Sequence, residues 1–299
     1  DIPAYVDLGT GRHALMSERD NDDDGVVNIF DPFPEGCPVG TYVSNETCLE
    51  AGPGYYADGF EQFPCAPGSY QPATGQVGCI PTYPGYFVNE SAAASQTPCP
   101  PGSYQPSGSQ TSCLQASPGH FSSGSASVLQ YECQPGSYQP NSSATACIQS
   151  DAGHFVNESA AANQTPCPPG QYQLLTGKTS CFSASPGFQA PSEGSSNQEE
   201  CGPGTFSASS GQAQCTDASP GFFVSGSQQS SEAPCQPGQY QPDSGQTSCM
   251  TVDQGYFTSD EGTADQIPCE PGTYQPDAGQ TSCLAVEPGN YSSTPGSTT

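Results

Sequence analysis

The apolar positions of this chain are sparse and follow a short period instead of forming long runs. A glycine returns every seventeen residues, and an aromatic side chain follows two residues after nearly every one. Such a period is typical of small stacked units that contact mainly their neighbours. We therefore expect short extended segments and tight turns that together build a rod. The period runs through Gly68, Gly85, Gly102, Gly119, Gly136, Gly153, Gly170, Gly187, Gly204, Gly221, Gly238, Gly255, Gly272 and Gly289, and Gly40 and Gly54 precede it at an interval of fourteen.

The residues around each glycine predict a turn followed by a strand. A Pro-Gly pair suits a type II turn, because proline fixes φ and glycine accepts positive φ. Later turn signals at Ser244-Gly245 and Ala278-Gly279 would close a hairpin-like loop. Helix signals are nearly absent, since the chain has 35 glycines and 32 prolines. The predicted fold class is a small disulfide-rich β protein: an elongated rod of tandem 17-residue hairpin-like units with almost no helix.

Sixteen cysteines repeat at twice this period, with steps of 14 and 20 residues that alternate from Cys65 onward. This regularity argues against disorder, the alternative for so much Pro, Gly, Ser and Gln, and indicates a disulfide framework made in an oxidising compartment. Pairing across the short steps uses every cysteine, whereas pairing across the long steps leaves Cys37 and Cys283 without partners. The short-step pairing is therefore favoured. Each bridge would contribute about 3 kcal/mol to units too small for a core of their own. The short steps pair Cys37 with Cys48, Cys65 with Cys79, Cys99 with Cys113, Cys133 with Cys147, Cys167 with Cys181, Cys201 with Cys215, Cys235 with Cys249 and Cys269 with Cys283.

Every second unit keeps the pattern without a bridge. One aromatic position also departs, because Gln189 stands there and Phe188 precedes it. Metal binding by the cysteines is disfavoured, since the chain has no C-x-x-C motif and His120 and His154 fill one repeated position. The slot of the first cysteine instead holds a small or β-branched residue: Ala51, Thr82, Ala116, Ser150, Ala184, Ala218, Val252 or Val286.

One bridged unit carries a known pattern, Cys99-Pro-Pro-Gly-Ser-Tyr-Gln-Pro followed by Gln110-Thr-Ser-Cys113. It resembles the ephrin-receptor-like cysteine-rich repeat of extracellular eukaryotic proteins. The shorter motif within it, C-x-x-G-x-Y…C, is similar to the first module of TNF-receptor-type cysteine-rich domains, whose two cysteines bridge each other, and this implies the short-step pairing. The resemblance covers residues 37–291. The pattern is specific as a module and unspecific as to function. The chain departs from that family in two ways, since every second module lacks its bridge and the typical C-x-x-C junction is absent.

The N-terminal 36 residues have no cysteine and hold nine of the thirty acidic residues. Residues 1–19 include a strand-like stretch that could add to a sheet edge of another subunit; a frayed terminus is the alternative. Residues 20–36 resemble a thrombospondin type-3 or dockerin-type calcium loop, with an acidic solvated linker as the alternative. Its spacing fits Ca²⁺, with Gly25 at the sharp turn and Asp instead of Glu at the twelfth position. The ligands would be Asp20, Asp22, Asp24, the carbonyl of Val26, Asn28 and Asp31.

The net charge of −27 argues against nucleic acid and anionic membranes as partners and favours divalent cations. No apolar run is long enough to span a membrane, and no signal peptide is present, so we expect a mature chain or a fragment. Residues 292–299 are predicted to be a Ser/Thr-rich linker or tail. A glycan-coated surface is expected, because six N-x-Ser/Thr sites occur: Asn45, Asn89, Asn141, Asn157, Asn163 and Asn290.

No catalytic motif is evident, and Lys178 occupies a slot that holds glutamine in several other repeats. We therefore expect no enzyme. The sequence favours a secreted or cell-surface structural glycoprotein, a rod-like subunit of a filament or stalk that associates end to end. The alternative is a receptor or adhesin ectodomain that binds a protein or glycan. Such an ectodomain would break its repeats where the partner binds, and the uniform interval of seventeen shows no break.

Overall fold

The structure, a computed structural model, describes residues 36–45 and 47–299 together with two strands nearer the N-terminus. Within these residues every regular element is a β-strand and none is a helix, which confirms the predicted disulfide-rich β class. No helix that could cross a membrane occurs in this part of the chain. The residues predicted to bind calcium lie outside the described ones.

Each strand pairs antiparallel with its neighbour in sequence, so the described architecture is a series of separate two-stranded hairpins. The N-terminal pair joins Tyr5–Asp7 to His13–Leu15, within the segment expected to contain a strand. The next hairpins have the longest strands of the cysteine-containing region. They are β3 (Thr41–Ser44) with β4 (Thr47–Glu50) and β5 (Tyr55–Ala57) with β6 (Gln62–Pro64), after β1 and β2 of the first pair.

All later strands are two residues long, and the two strands of each hairpin begin eleven residues apart. The hairpins β7 to β32 are Ser69–Tyr70 with Ile80–Pro81, Tyr86–Phe87 with Thr97–Pro98, Ser103–Tyr104 with Leu114–Gln115, His120–Phe121 with Tyr131–Glu132, Ser137–Tyr138 with Ile148–Gln149, His154–Phe155 with Thr165–Pro166, Gln171–Tyr172 with Phe182–Ser183, Phe188–Gln189 with Glu199–Glu200, Thr205–Phe206 with Thr216–Asp217, Phe222–Phe223 with Ala233–Pro234, Gln239–Tyr240 with Met250–Thr251, Tyr256–Phe257 with Ile267–Pro268, and Thr273–Tyr274 with Leu284–Ala285.

The Pro-Gly pair makes the turn that the sequence predicts. Ser69 donates its N–H to the carbonyl of Ala66 at 3.1 Å, which closes a four-residue turn around Pro67 and Gly68. Gly68 has φ +86°, the value that a type II turn requires at its third residue. The turn therefore places the aromatic residue of each unit at the start of the hairpin.

Consecutive units are joined by a repeated set of backbone hydrogen bonds. The backbone N–H of Gly170 donates to the carbonyl of Ala190 at 2.8 Å, and the backbone N–H of Gln173 donates to the carbonyl of Ser195 at 3.1 Å. In return, Ala184 of the next unit donates to the carbonyl of Gly170 at 2.9 Å. Such bonds between neighbours contribute to the interface energy that stabilises a quasi-one-dimensional repeat array.

The turn glycines also lie against the unit that is 34 residues further on. A Cβ atom added to Gly68 would lie 2.6 Å from the carbonyl oxygen of Ser109, and one on Gly136 would lie 2.5 Å from that of Gly177. No side chain fits at such a distance, so the backbones approach closely. Bridged units consequently lie against bridged units, and units without a bridge lie against one another in the same way, as at Gly85 and Ala126.

Besides the buried turn glycines, the buried side chains form two rows instead of a conventional core. The first cysteine of every bridge from Cys65 onward is at most 1% exposed, and the small residues in the same slot of the other units are equally buried through Val252. The second row lies three residues after each turn glycine and is partly polar. It comprises Ala57, Gln71, Val88, Gln105, Ser122, Gln139, Val156, Gln173, Ala190, Ser207, Val224, Gln241, Thr258, Gln275 and Ser292.

The chain divides into two compact units. The first consists of Asp1–Cys133, Gln139–Cys147 and Ala160–Ala162, and it contains the first four disulfides. The second consists of Gln134–Tyr138, Ile148–Ser159 and Asn163–Thr299, and it contains the other four. Each unit has its own stacked hairpins.

Candidate functional site

The disulfides close alternate units across the short steps, and no described cysteine is free. The sulfur atoms join Cys37 to Cys48, Cys65 to Cys79, Cys99 to Cys113, Cys133 to Cys147, Cys167 to Cys181, Cys201 to Cys215, Cys235 to Cys249 and Cys269 to Cys283, with Cα–Cα distances of 5.6 to 5.8 Å. The long-step alternative, which would join Cys79 to Cys99, does not occur.

The two cysteines of a bridge differ in burial. Cys65 and Cys235 are fully buried, whereas their partners Cys79 and Cys249 are half-buried. The same difference holds in every pair after the first. The bridge therefore connects the buried row to the surface end of the hairpin.

Six of the units without a bridge are closed by a hydrogen bond in the same place. Gln164 occupies the slot of the second cysteine, and its Oε1 accepts the N–H of Asp151 at 2.7 Å. Asp151 directly follows the slot of the first cysteine, so this bond replaces the disulfide across the same loop. The same bond joins Gln96 to Tyr83, Gln130 to Ser117, Gln198 to Ser185, Glu232 to Ser219 and Gln266 to Asp253, at 2.6 to 2.9 Å.

A second glutamine stabilises most bridged units from inside. Gln173 is 1% exposed, donates from Nε2 to the carbonyl of Ser180 at 2.7 Å and accepts the N–H of Leu175 at Oε1 at 3.2 Å. It thereby spans the loop just inside the disulfide. The equivalent residues are Gln71, Gln105, Gln139, Gln241 and Gln275.

Among the seven bridged units from Cys65 onward, one lacks this buried glutamine, and a residue of the preceding unit bonds to its loop instead. Ser207 stands in the slot, and its hydroxyl donates to the carbonyl of Ser209. Gln189, at the position where an aromatic was expected, accepts the N–H of Cys215 at 2.9 Å. The two departures from the repeat, at 189 and at 207, therefore involve the loop of the same bridged unit.

Sequence reasoning did not find the roles of these glutamines. The glutamines recur at a 34-residue spacing in the sequence, but glutamine is usually a surface residue. The sequence pattern therefore did not indicate that these side chains close the hairpin loops by hydrogen bonds. The signal that could have found the external glutamine is its position, since Gln96, Gln130, Gln164, Gln198 and Gln266 each stand eleven residues after a turn glycine, as the second cysteines do.

Three pairs of aromatic residues pack across their own hairpins, and one of them joins Tyr56 to Phe63. The rings of Tyr172 and Phe182 have centroids 6.1 Å apart, and those of Phe121 and Tyr131 are 5.8 Å apart. At Tyr240, partial desolvation and then the nearby carboxylates of Asp253 and Asp265 raise the pKa of the phenol. This phenol stays neutral at physiological pH, so it adds no charge to the surface.

One carboxylate has a structural role in the β5–β6 hairpin. Asp58 accepts the backbone N–H groups of Phe60 and Glu61, each at 3.0 Å. The bond from Glu61 and then that from Phe60 lower the pKa of the Asp58 carboxyl, because both favour its charged form. Asp58 is therefore a turn-forming residue in this hairpin.

The remaining candidate sites are placed as follows. The six asparagines of the predicted glycan sites are all exposed, although the hydroxyl of Ser292, which completes the site at Asn290, is buried without a hydrogen bond. The backbone hydrogen bonds between consecutive units also extend into the predicted tail, where the N–H of Gln275 donates to the carbonyl of Ser297 at 3.0 Å. Among the described residues no group of His, Cys, Asp or Glu is arranged to hold a metal ion. The predicted calcium ligands are outside these residues.

One open concavity of about 720 Å³ lies in the second compact unit. Its lining includes Tyr274, Val286 and Tyr291, and Glu287 is its one ionisable side chain besides the tyrosines. Tyr291 is 86% exposed. The lining offers apolar and hydroxyl surface for contact.

A family model described as tyrosine-protein kinase ephrin type A/B receptor-like matches residues 255–299. No curated protein matches the sequence. Together with the eight tandem disulfides, the match identifies a cysteine-rich repeat protein. Both findings fit an extracellular receptor-like or structural repeat protein, since bridges of this density belong to oxidising compartments.

Proposed function

We propose that this chain is a non-catalytic structural glycoprotein of the extracellular space, a rod-like subunit of a filament or surface stalk that associates end to end. The observation that carries the proposal is the recurrence of one set of backbone hydrogen bonds between consecutive units. An edge that accepts the next unit of its own chain has the geometry to accept a similar unit from another chain.

Electron microscopy of the native protein tests this proposal. Filaments whose subunits join at their ends are expected, and they should persist without reductant. Separate particles of one fixed length at every protein concentration would contradict the filament. Dithiothreitol provides the control, because loss of the bridges should dissolve the filaments by unfolding the units.

The alternative is a receptor or adhesin ectodomain that binds a protein or glycan. The family match at residues 255–299 supports it, because that family is described by a receptor. Binding of a soluble partner by single, fixed-length particles would favour this alternative over the filament.

We also propose that residues 20–36 bind Ca²⁺ through Asp20, Asp22, Asp24, Asn28 and Asp31 with the carbonyl of Val26. Calorimetric titration of the full chain should show saturable uptake that Asp24→Ala weakens. Asp217→Ala, which removes a carboxylate from a hairpin of the repeat region, is the matched control. Equal uptake by both variants would contradict the calcium site.

N-linked glycans are proposed at the six exposed asparagines. Intact mass before and after removal of N-glycans should differ in protein secreted by a eukaryotic host. Asn157→Gln should lower the glycosylated mass by one glycan, because Asn157 and Ser159 are both exposed residues. An unchanged mass would contradict occupancy at that position.

A further inference from the structure

A threonine stands two residues before the second cysteine in five of the seven bridged units from Cys65 onward. All five threonines are exposed, and their hydroxyls make no hydrogen bond with any described residue. Threonines that stabilise a turn differ, since the hydroxyls of Thr205 and Thr273 donate to the carbonyl three residues earlier at 2.9 and 2.8 Å. We call the five the outer threonines: Thr111, Thr145, Thr179, Thr247 and Thr281.

The fold does not require threonine at this position. Val77 and Ala213 occupy it in the other two bridged units. The outer threonines lie outside the strands, so the preference of strands for β-branched residues does not explain them. The units without a bridge have the same position, two residues before the glutamine or glutamate that closes them, and none of these six holds threonine. Their residues are Ala94, Val128, Ala162, Ser196, Ser230 and Ala264.

Each outer threonine occurs together with an exposed apolar side chain three residues further on. Directly after the second cysteine, these five units carry a Leu, Ile, Phe or Met that is 43 to 56% exposed. The two bridged units without an outer threonine differ there, since Ile80 is half-buried and Thr216 is polar. A free hydroxyl is therefore present in the same units in which a large apolar side chain stays open to solvent. These side chains are Leu114, Ile148, Phe182, Met250 and Leu284.

The charge of the chain selects the group that such a hydroxyl would carry. A threonine hydroxyl can accept a phosphoryl or a glycosyl group. Phosphate would add up to two negative charges at each site of a chain whose net charge is already −27, which would increase its self-repulsion. A sugar adds no charge and is bulky and solubilising. Three residues span at most about 11 Å, so a glycan on Thr247 can reach Met250.

We propose that the outer threonines are O-glycosylation sites and that each glycan covers the apolar side chain three residues further on. The threonine Oγ1 forms a bond to the anomeric carbon of a sugar that is activated as a phosphate ester. The bond from that carbon to the phosphate oxygen breaks, the phosphate ester leaves with the electron pair, and a base of the glycosyltransferase takes the hydroxyl proton. Three of the five sites lie between residues 166 and 289, a stretch that contains no N-x-Ser/Thr site.

Mass spectrometry of the native protein after enzymatic removal of N-glycans tests the attachment. Peptides that contain Thr247 should be heavier than their sequence by whole sugar residues, and fragmentation should locate this mass on Thr247. Thr251 is the matched control, because it is exposed on the same hairpin and its hydroxyl also makes no hydrogen bond with a described residue. Thr251 lies outside the repeated position, so it should be unmodified.

Oxidation of Met250 by hydrogen peroxide tests the covering role, because oxidation requires access to the sulfur. Thr247→Val imitates Val77 and should remove one glycan. In this variant Met250 should oxidise at least about twofold faster than in the wild type. Thr251→Val should change neither the glycan mass nor the oxidation rate. Both variants are produced in the cells that make the native protein, so that the same transferases act on them.

The attachment is refuted if the outer threonines of the native protein are unmodified, if the added mass is that of phosphate, or if Thr251 is modified as often as Thr247. An oxidation rate of Met250 that Thr247→Val leaves unchanged would overturn the covering role. Failure of the earlier proposals is recognised separately, because filaments are scored in electron micrographs and N-glycans are removed before the measurement.

Discussion

A hydrogen bond takes the place of the disulfide in the units without a bridge. It predicts that a bridged unit can be converted into an unbridged one with a smaller loss of stability than removal of the disulfide alone would cause. In Cys235→Ala/Cys249→Gln, the introduced amide would accept the N–H of Gln236. The natural example is Gln266, whose Oε1 accepts the N–H of Asp253 at 2.8 Å. Cys235→Ala/Cys249→Ala also removes the bridge but provides no acceptor.

The magnitude follows from the loop and the bond. Each double variant loses the constraint on a loop of about 15 residues, which is worth about 3 kcal/mol. The introduced hydrogen bond returns about 1 kcal/mol. The glutamine variant should therefore open about five times less often than the alanine variant, and both should open far more often than the wild type.

Hydrogen exchange followed by mass spectrometry measures how often a single unit opens. This local measurement suits a repeat array, because a single melting temperature is not well defined for one. Peptides that cover residues 238–251 should show about fivefold higher protection in the glutamine variant. The unit of Cys167 and Cys181 is the control, because Pro168 has no N–H to donate. There, Cys167→Ala/Cys181→Gln and the double alanine variant should exchange alike. Equal protection at 238–251, or an equal gain at both units, would refute the reasoning.

Three further predictions concern backbone packing, a buried side-chain hydrogen bond and the pKa of a turn-forming carboxyl. Gly136→Ala should destabilise its units by about 1–3 kcal/mol more than Gly272→Ala, because both residues have positive φ but a Cβ meets a neighbouring carbonyl only at Gly136; chemical denaturation with exchange readout compares them. Gln173→Ala should cost about 1–3 kcal/mol, since it leaves the carbonyl of Ser180 and the N–H of Leu175 without their partner, whereas Gln76→Ala, which removes a side chain that donates to the carbonyl of Thr74, should be nearly neutral in the same exchange assay. The lowered pKa of Asp58 means that its contribution to stability is present above its unfolded pKa of about 3.9 and is lost as the pH falls through the lower folded value; carbon-13 NMR of the carboxyl should show that lower midpoint, and a midpoint at or above about 3.9 would contradict it.

The regular spacing of a few residue types was enough to predict the architecture. Glycine at seventeen-residue intervals, often preceded by proline, specifies a turn with positive φ, and that turn repeats wherever the pattern repeats. The cysteine steps of 14 define units too small to be stable without a covalent closure. These features are local, because φ preferences and loop lengths act within one unit.

The stacking and the closure of the alternate units were decided by tertiary structure. Nothing in the sequence around Gly136 shows that its missing Cβ leaves room for the carbonyl of Gly177, because that residue belongs to the unit after next. Gln164 is likewise an ordinary polar residue until the fold brings Asp151 within 2.7 Å.

The exposure of individual apolar side chains is also a tertiary property. Leu174 and Leu175 could have been buried as readily as Val156 and Val224, and only the fold shows that they face outward. Sequence determines which conformations each segment prefers, whereas burial and hydrogen-bond partners depend on residues 13 to 41 positions away along the chain. Local conformational preferences do not act over such a separation along the chain. The hydrogen bonds and contacts between units are therefore apparent only in the tertiary structure.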